Sequence, residues 1–223
     1  MKKYWPKGKA GKIAVVFLYA IIYFSGFFYL ENRTMESYHI IECGIDRWIP
    51  FCSIFILPYL MWFPYQIILW IYFLTGGLDD KEYYRFIAYV CSGMSLFLII
   101  SWLYPTAVNL RPQYLAADGI FERMVLGLYC VDTPTNVLPS IHVYNSIAFH
   151  VVFCRSFERG RGQWWKMGSF VMSQLIILST VLIRQHSVID LIMGFLMAVM
   201  GYLLIYGKEL GQVMIAKLEK LTS

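Results

Sequence analysis

Charge is scarce in this chain. Only 15% of its 223 residues are Asp, Glu, Lys or Arg, against 59% hydrophobic, and the mean hydropathy is +0.57. That balance excludes an ordinary soluble domain and points to an integral membrane protein. Cysteine is sparse and unpatterned. Cys43, Cys52, Cys91, Cys130 and Cys154 form no C-x-x-C pair and no zinc-like spacing, which excludes a redox motif and a cysteine zinc site. Cys43 and Cys130 both fall outside the apolar runs, so a disulfide between them stays open. Internal repeats and low-complexity tracts are missing, and the length holds one membrane domain, residues 1–223, with no room for a second soluble one. The net charge of +5 does not indicate nucleic-acid binding, because the placement of the basic residues explains it.

What the chain has in abundance is apolar runs. Crossing a bilayer takes about 20 apolar residues. Six runs qualify, at about 13–30, 50–74, 86–103, 139–154, 168–184 and 187–206. They predict an all-α polytopic membrane protein, a six-transmembrane-helix bundle. The fourth run is short and the last two nearly touch, which places polar residues at helix ends near one membrane face. The first run is followed by no A-x-A cleavage site and reads as an uncleaved anchor. Pro58 and Pro64 are expected to kink the second.

Lysine is one-sided. With six crossings, 14 of the 19 basic residues fall on one side. They are Lys2, Lys3, Lys7, Lys9 and Lys12 before the first run, Lys81 and Arg85, then Arg155, Arg159, Arg161 and Lys166, and finally Lys208, Lys217 and Lys220. The other side holds Arg33, Arg47, Arg111, Arg123 and Arg184, and no lysine. The positive-inside rule then puts both termini in the cytoplasm. It puts the long connection 104–138 on the non-cytoplasmic face, with Pro105, Pro112 and Pro134 as breakers and an apolar piece near 120–130 suited to a short interfacial helix.

That face also collects the polar residues an apolar bundle does not need. His142 opens the fourth run in "VLPSIHVYNS", and His186 sits at the turn before the sixth in "STVLIRQHSVIDLIMG". His186 and Asp190 are four apart, on one helix face, where a carboxylate fixes the imidazole tautomer and raises its basicity. Arg184 lies two residues upstream and Arg111 lies in the long connection; guanidinium groups bind phosphate oxygens bidentately. Bland readings stand beside each. Ser140 after Pro139 is a natural helix N-cap. Arg184 alone is an interfacial residue with its stem in lipid. His142 alone is as readily structural as functional. His150 reads as packed with nothing polar around it, and His39 as a solvated loop residue. His186 with Asp190 is also half a metal site, but no third ligand has sensible spacing, so no metal or cofactor is expected. The combination carries the argument: two histidines, one aspartate and two arginines fall on one face by an independent topological reading.

"PSIH" followed by "HSVID" resembles the second and third signature motifs of the type 2 phosphatidic acid phosphatase superfamily, and "YPTAVNLRP" is similar to its first, ending at Arg111 and Pro112. The resemblance covers about 104–195. It implies a membrane phosphatase with His186 as the nucleophile that becomes a phosphohistidine and Asp190 as the carboxylate that orients it. His142 would be the general acid, and Ser140 and Arg111 phosphate ligands. Three positions depart from the motifs. Tyr104 stands where the first motif has lysine, Ile141 where the second has glycine, and Thr180 where the third has arginine. Arg184 is expected to compensate as a phosphate ligand. The departures look more like the branch of inositol phosphorylceramide synthases and related headgroup transferases, whose diester substrates carry less charge.

Three functions compete. The first is a lipid phosphatase on the outer face of what would be, for so compact a chain, a bacterial cell membrane. Phosphatidate, phosphatidylglycerol phosphate or an isoprenoid diphosphate all suit it. The second is a headgroup phosphotransferase using the same residues. The third is a non-catalytic transporter or lipid-binding subunit, against which the joint presence of His142, His186 and Asp190 speaks. The expected partners are a lipid phosphate and the bilayer, not nucleic acid.

Overall fold

A computed structural model describes residues 8–158 and 160–222, with side chains as far as residue 209. Lys2, Lys3, Lys7, Arg159, Lys217 and Lys220 of the charge argument lie outside the described side chains. The α-helices are α1 (Lys9–Glu31), α2 (Ile56–Leu60), α3 (Trp62–Tyr72), α4 (Asp80–Leu103), α5 (Ile120–Val131), α6 (Ile141–Arg155), α7 (Gln163–Leu182) and α8 (Val188–Thr222). One small parallel pair, β1 (His39–Ile40) with β2 (Thr106–Ala107), ties two loops together. The protein is an all-α polytopic membrane protein.

Among the described residues, five helical stretches are long and apolar enough to cross a bilayer: Lys9–Glu31, Ser53–Gly77, Asp80–Leu103, Gln163–Leu182 and Val188–Glu209. The second is broken, as its prolines require. Pro64 has no N–H to offer the Leu60 carbonyl, and the helix divides at Met61 into α2 and α3. The stretch ends in a wide turn at Phe73–Gly77, where Gly76 takes φ 125°, a conformation that favours glycine. Asp79 then starts α4 by accepting from the Glu82 N–H at 2.8 Å.

The short fourth run is α6, and its length has a physical reason. Its 15 residues rise about 22 Å at 1.5 Å each, less than the ~30 Å hydrocarbon core. It packs against α3, α4, α7 and α8, so its neighbours, not lipid, surround it. A helix so enclosed tolerates Asn145 and Ser146, both fully buried. Tyr144 sets its closest crossing. A Cβ on Gly93 would meet the Tyr144 ring at 2.0 Å, so only glycine admits this approach. The Tyr144 hydroxyl donates to the Tyr89 carbonyl, and the Tyr89 hydroxyl to that of Ala198 at 2.6 Å. These bonds join α4, α6 and α8.

The described basic residues of the lysine-rich set fall at one end of the bundle. There Arg155 meets Glu82 at 3.3 Å and Glu209 at 3.0 Å, and Arg85 meets Glu82 at 3.0 Å. The histidine motifs lie at the opposite end.

Candidate active site

The turn between α7 and α8 is built to hold His186. The backbone N–H groups of Gln185 and His186 both donate to the Thr180 carbonyl, at 2.9 and 3.1 Å. Arg184 takes a left-handed φ of 59°, uncommon for a side-chain-bearing residue. Its guanidinium fixes that turn by donating to the carbonyls of Asp46 (2.6 Å) and Ile49. Asp46 completes the clamp. Its carboxylate accepts from the Val188 N–H at 2.8 Å, the Ser187 hydroxyl at 2.7 Å and the Cys43 N–H at 2.7 Å. Burial raises the Asp46 pKa, but the three donors outweigh it and hold the carboxyl below its usual range.

On this platform His186 and Asp190 pair. Asp190 is fully buried and His186 is 8% exposed. The His186 Nδ1 lies 3.3 Å from Asp190 Oδ2, which also accepts the Ser187 N–H at 2.9 Å. That leaves the His186 Nε2 for chemistry. The His142 ring stands edge-on to His186 with centroids 5.5 Å apart. Tyr59 and Trp62 pack on it at 4.7 and 4.4 Å. The structure thus brings His142 together with His186 and Asp190 from two separate stretches of sequence. Gly194, one turn beyond Asp190, lets α8 approach α6; a Cβ there would stand 2.6 Å from the Ser140 carbonyl.

The expected phosphate ligands are placed differently. Ser140 is fully buried, and its hydroxyl caps α6 by accepting from the Val143 N–H at 3.4 Å. Arg184 donates to the carbonyls of the 46–49 segment and so stabilises the turn. Arg111 comes nearer. It donates to Gln185 Oε1 at 3.0 and 2.6 Å and to the carbonyls of Tyr129 (3.1 Å) and Asp132. It lies over the Tyr129 ring at 4.1 Å, and burial lowers its pKa. Gln185 Nε2 in turn donates to Asp132 Oδ2 at 3.0 Å, and so does the Tyr59 hydroxyl at 2.5 Å. Arg111 therefore touches the site through Gln185 and Asp132.

A cavity of about 530 Å³ joins these groups to the lipid side of the bundle. His142, His186, Gln185 and Asp132 line its polar end. Phe24 of α1 and Phe63 of α3, each about half exposed, line it further on, so it opens sideways between those helices. Neither lysine nor arginine is among the lining residues. Asp46, Tyr59, Trp62, Asp132, Asn145 and Gln185 escaped the sequence reading. Only Gln185 had a signal, its place beside His186. The aromatic pair is indistinguishable in sequence from apolar filling.

The departing positions have ordinary surroundings. Tyr104 stacks on His39 at 4.0 Å, Thr180 supplies the carbonyl that closes the turn, and Ile141 lines the cavity. His150 is not free of polar company, since its Nδ1 lies 3.0 Å from the Ser169 hydroxyl. All five cysteines are free, and the described residues contain no group of three or more metal-ligating side chains.

Fold and site together define a polytopic membrane protein of phosphatase-like type. The model of the PAP2 superfamily matches residues 85–210, more than half of the chain, and the protein belongs to that family. The match begins inside α4 and takes in α5 to α7 and most of α8. No curated protein and no solved structure matches the chain significantly.

Proposed function

We propose that the chain is an integral membrane lipid phosphatase that cleaves a lipid phosphate or diphosphate at the non-cytoplasmic face through a phosphohistidine. In this reading residues 1–223 form one domain that crosses the bilayer six times, with both termini cytoplasmic. The observation that carries it is the buried His186–Asp190 pair facing His142 across a cavity open to lipid.

Asp190 keeps the His186 proton on Nδ1, and the Nε2 lone pair attacks phosphorus. The bond from phosphorus to the lipid oxygen breaks, and His142 gives that oxygen a proton. His142 then takes a proton from water, which attacks the phosphohistidine and releases inorganic phosphate. Arg111, freed from Gln185, is the nearest cation for the equatorial oxygens.

A second reading has its own support. With neither lysine nor arginine lining the cavity, a diester with one negative charge fits better than a dianionic monoester. A lipid hydroxyl would then replace water, making the protein a headgroup transferase. Phosphorus NMR of products in mixed lipid micelles, beside His186→Ala, tests both. Inorganic phosphate that vanishes in the variant is the expected result. A new phosphodiester instead would establish transfer, and turnover near wild type in His186→Ala would remove His186 as nucleophile.

A further inference from the structure

The cavity contains more hydrogen-bonding capacity than the phosphate chemistry uses. Half of the buried polar side-chain atoms without a protein partner, among the described residues, belong to residues that line it. They are the Tyr23 hydroxyl, Trp62 Nε1, Asn136 Oδ1, His142 Nδ1 and both polar atoms of Asn145. Asn145 is fully buried and three residues beyond His142 on α6, about 4.5 Å deeper at 1.5 Å per residue. An unpartnered buried donor or acceptor costs about 1–3 kcal/mol. Polar residues that glue membrane helices find partners across the interface, and Asn145 finds none. It faces a cavity instead.

The surroundings define what this amide would bind. The charged residues lining the cavity are Glu31 and Asp132. Glu31 is at the end of α1 and accepts from Thr133, and Asp132 accepts from Tyr59 and Gln185. Both lie toward the polar end. Away from that end the lining is apolar and aromatic, with neutral donors and acceptors only. A phosphate or ammonium group there would be unpaired, whereas a hydroxyl, ester or amide would pair with Asn145. Along α1 the lining runs from Glu31 to Val16, about 22 Å at 1.5 Å per residue, long enough for a hydrocarbon chain.

We propose that the cavity contains, one helical turn inside the histidine pair, a binding station for the uncharged polar group of a membrane lipid, with Asn145 as its principal ligand and Tyr23 in support. The station deepens the phosphotransfer reading by naming the neutral part of its lipid. That group belongs either to the phosphorylated substrate's own glycerol backbone or to an acceptor alcohol.

Binding is tested apart from turnover, in the full-length His186→Ala protein in detergent micelles. The probe is a diacylglycerol with a diazirine in one acyl chain. After irradiation, labelled peptides from α1 and α3 are expected, since these helices line the apolar length of the cavity. Unlabelled diacylglycerol should compete and hexadecane should not. Adding Asn145→Leu, branched at Cγ like asparagine and with the cavity to receive its added volume, should cut labelling at least fivefold without lowering the melting temperature, because it removes an unpartnered amide. Tyr23→Phe should cut it about threefold and serves if the leucine variant does not fold. Undiminished labelling in both variants, or equal competition by hexadecane, overturns the proposal. Turnover then separates the sources, with short-chain phosphatidate as donor and long-chain diacylglycerol as acceptor. If Asn145→Leu raises KM with unchanged products, the group is the substrate's backbone. A shift from long-chain phosphatidate to inorganic phosphate assigns it to an acceptor alcohol. Wild-type protein without turnover would sink the phosphotransfer reading alone, leaving the labelling to judge the station.

Discussion

Asp46 is the residue whose loss should be felt farthest from its own position. It sits outside the α-helices, in the short 3-10 turn Gly44–Trp48, yet its carboxylate holds the first turn of α8, the Ser187 hydroxyl and the Cys43 N–H. Asp46→Ala leaves three donors without an acceptor at a site where the aspartate is 2% exposed. At about 1–3 kcal/mol for each unmade bond, with Cys43 near enough to the surface for water to replace it, the loss is about 3–5 kcal/mol. For a chain of this length that is on the order of 10 °C in melting temperature. Asp46→Asn keeps one acceptor for Val188 and should lose about half as much. Because the folded carboxyl is held below its usual range, its contribution is present above the unfolded pKa of about 3.9. It is lost as pH falls through the folded value. Wild-type melting temperature should therefore hold from pH 7 to 5 and drop below pH 4, whereas the asparagine variant should show a shallower drop there. Thermal unfolding in detergent across that range checks this, with kcat measured beside it, since loosening the turn displaces His186. An Asp46→Ala protein melting within 1 °C of wild type, or variants with the wild-type acid profile, would refute the reasoning.

Further outcomes follow from the same geometry. Asp190→Asn should lower kcat on the order of 10²–10⁴-fold, the range of a lost acid–base function, while leaving substrate KM nearly unchanged. Where its acid–base role limits the second step, His142→Ala should leave a slow enzyme that accumulates phosphohistidine, visible on gels run after an alkaline detergent quench as an alkali-stable, acid-labile phosphoprotein. Arg184→Ala should lower stability through the lost carbonyl bonds with KM for the lipid unchanged; a selective rise in KM would return it to the phosphate site. Gly194→Val should impair catalysis more than stability, as α8 is pushed off the first turn of α6, and a kcat equal to wild type would show that the helices reseat freely.

The membrane class was legible because it rests on long averages, which survive local detail. Five long helices appear where apolar runs predicted them, and the interfacial piece near 120–130 is α5. The histidine pair was legible because ionisable groups are rare in apolar sequence and four-residue spacing is a helical distance. The roles of the arginines were not. A guanidinium near a histidine reads the same whether it awaits phosphate or grips a carbonyl, and Arg184 does the latter. Asp46 and Asp132 were hidden for another reason. The α8 turn that Asp46 holds, and the Tyr59 and Gln185 that Asp132 accepts from, lie more than 50 residues away in the chain, and no local pattern encodes such a closure. Asn145 was visible only as a polar letter in a short run, and its missing partners are a property of packing.

The family match leaves out α1 to α3. Yet those helices supply Tyr59 and Trp62 against His142 and most of the apolar wall facing α4 and α6. In the proposed reading, reactivity and lipid choice are thus written on different stretches of one chain. If the cavity receives the substrate's hydrocarbon, exchanging α1 and the lipid-facing side of α3 for those of another family member would retarget the enzyme while its histidines stay untouched. Tyr59 and Trp62 are the two positions such a graft would have to keep.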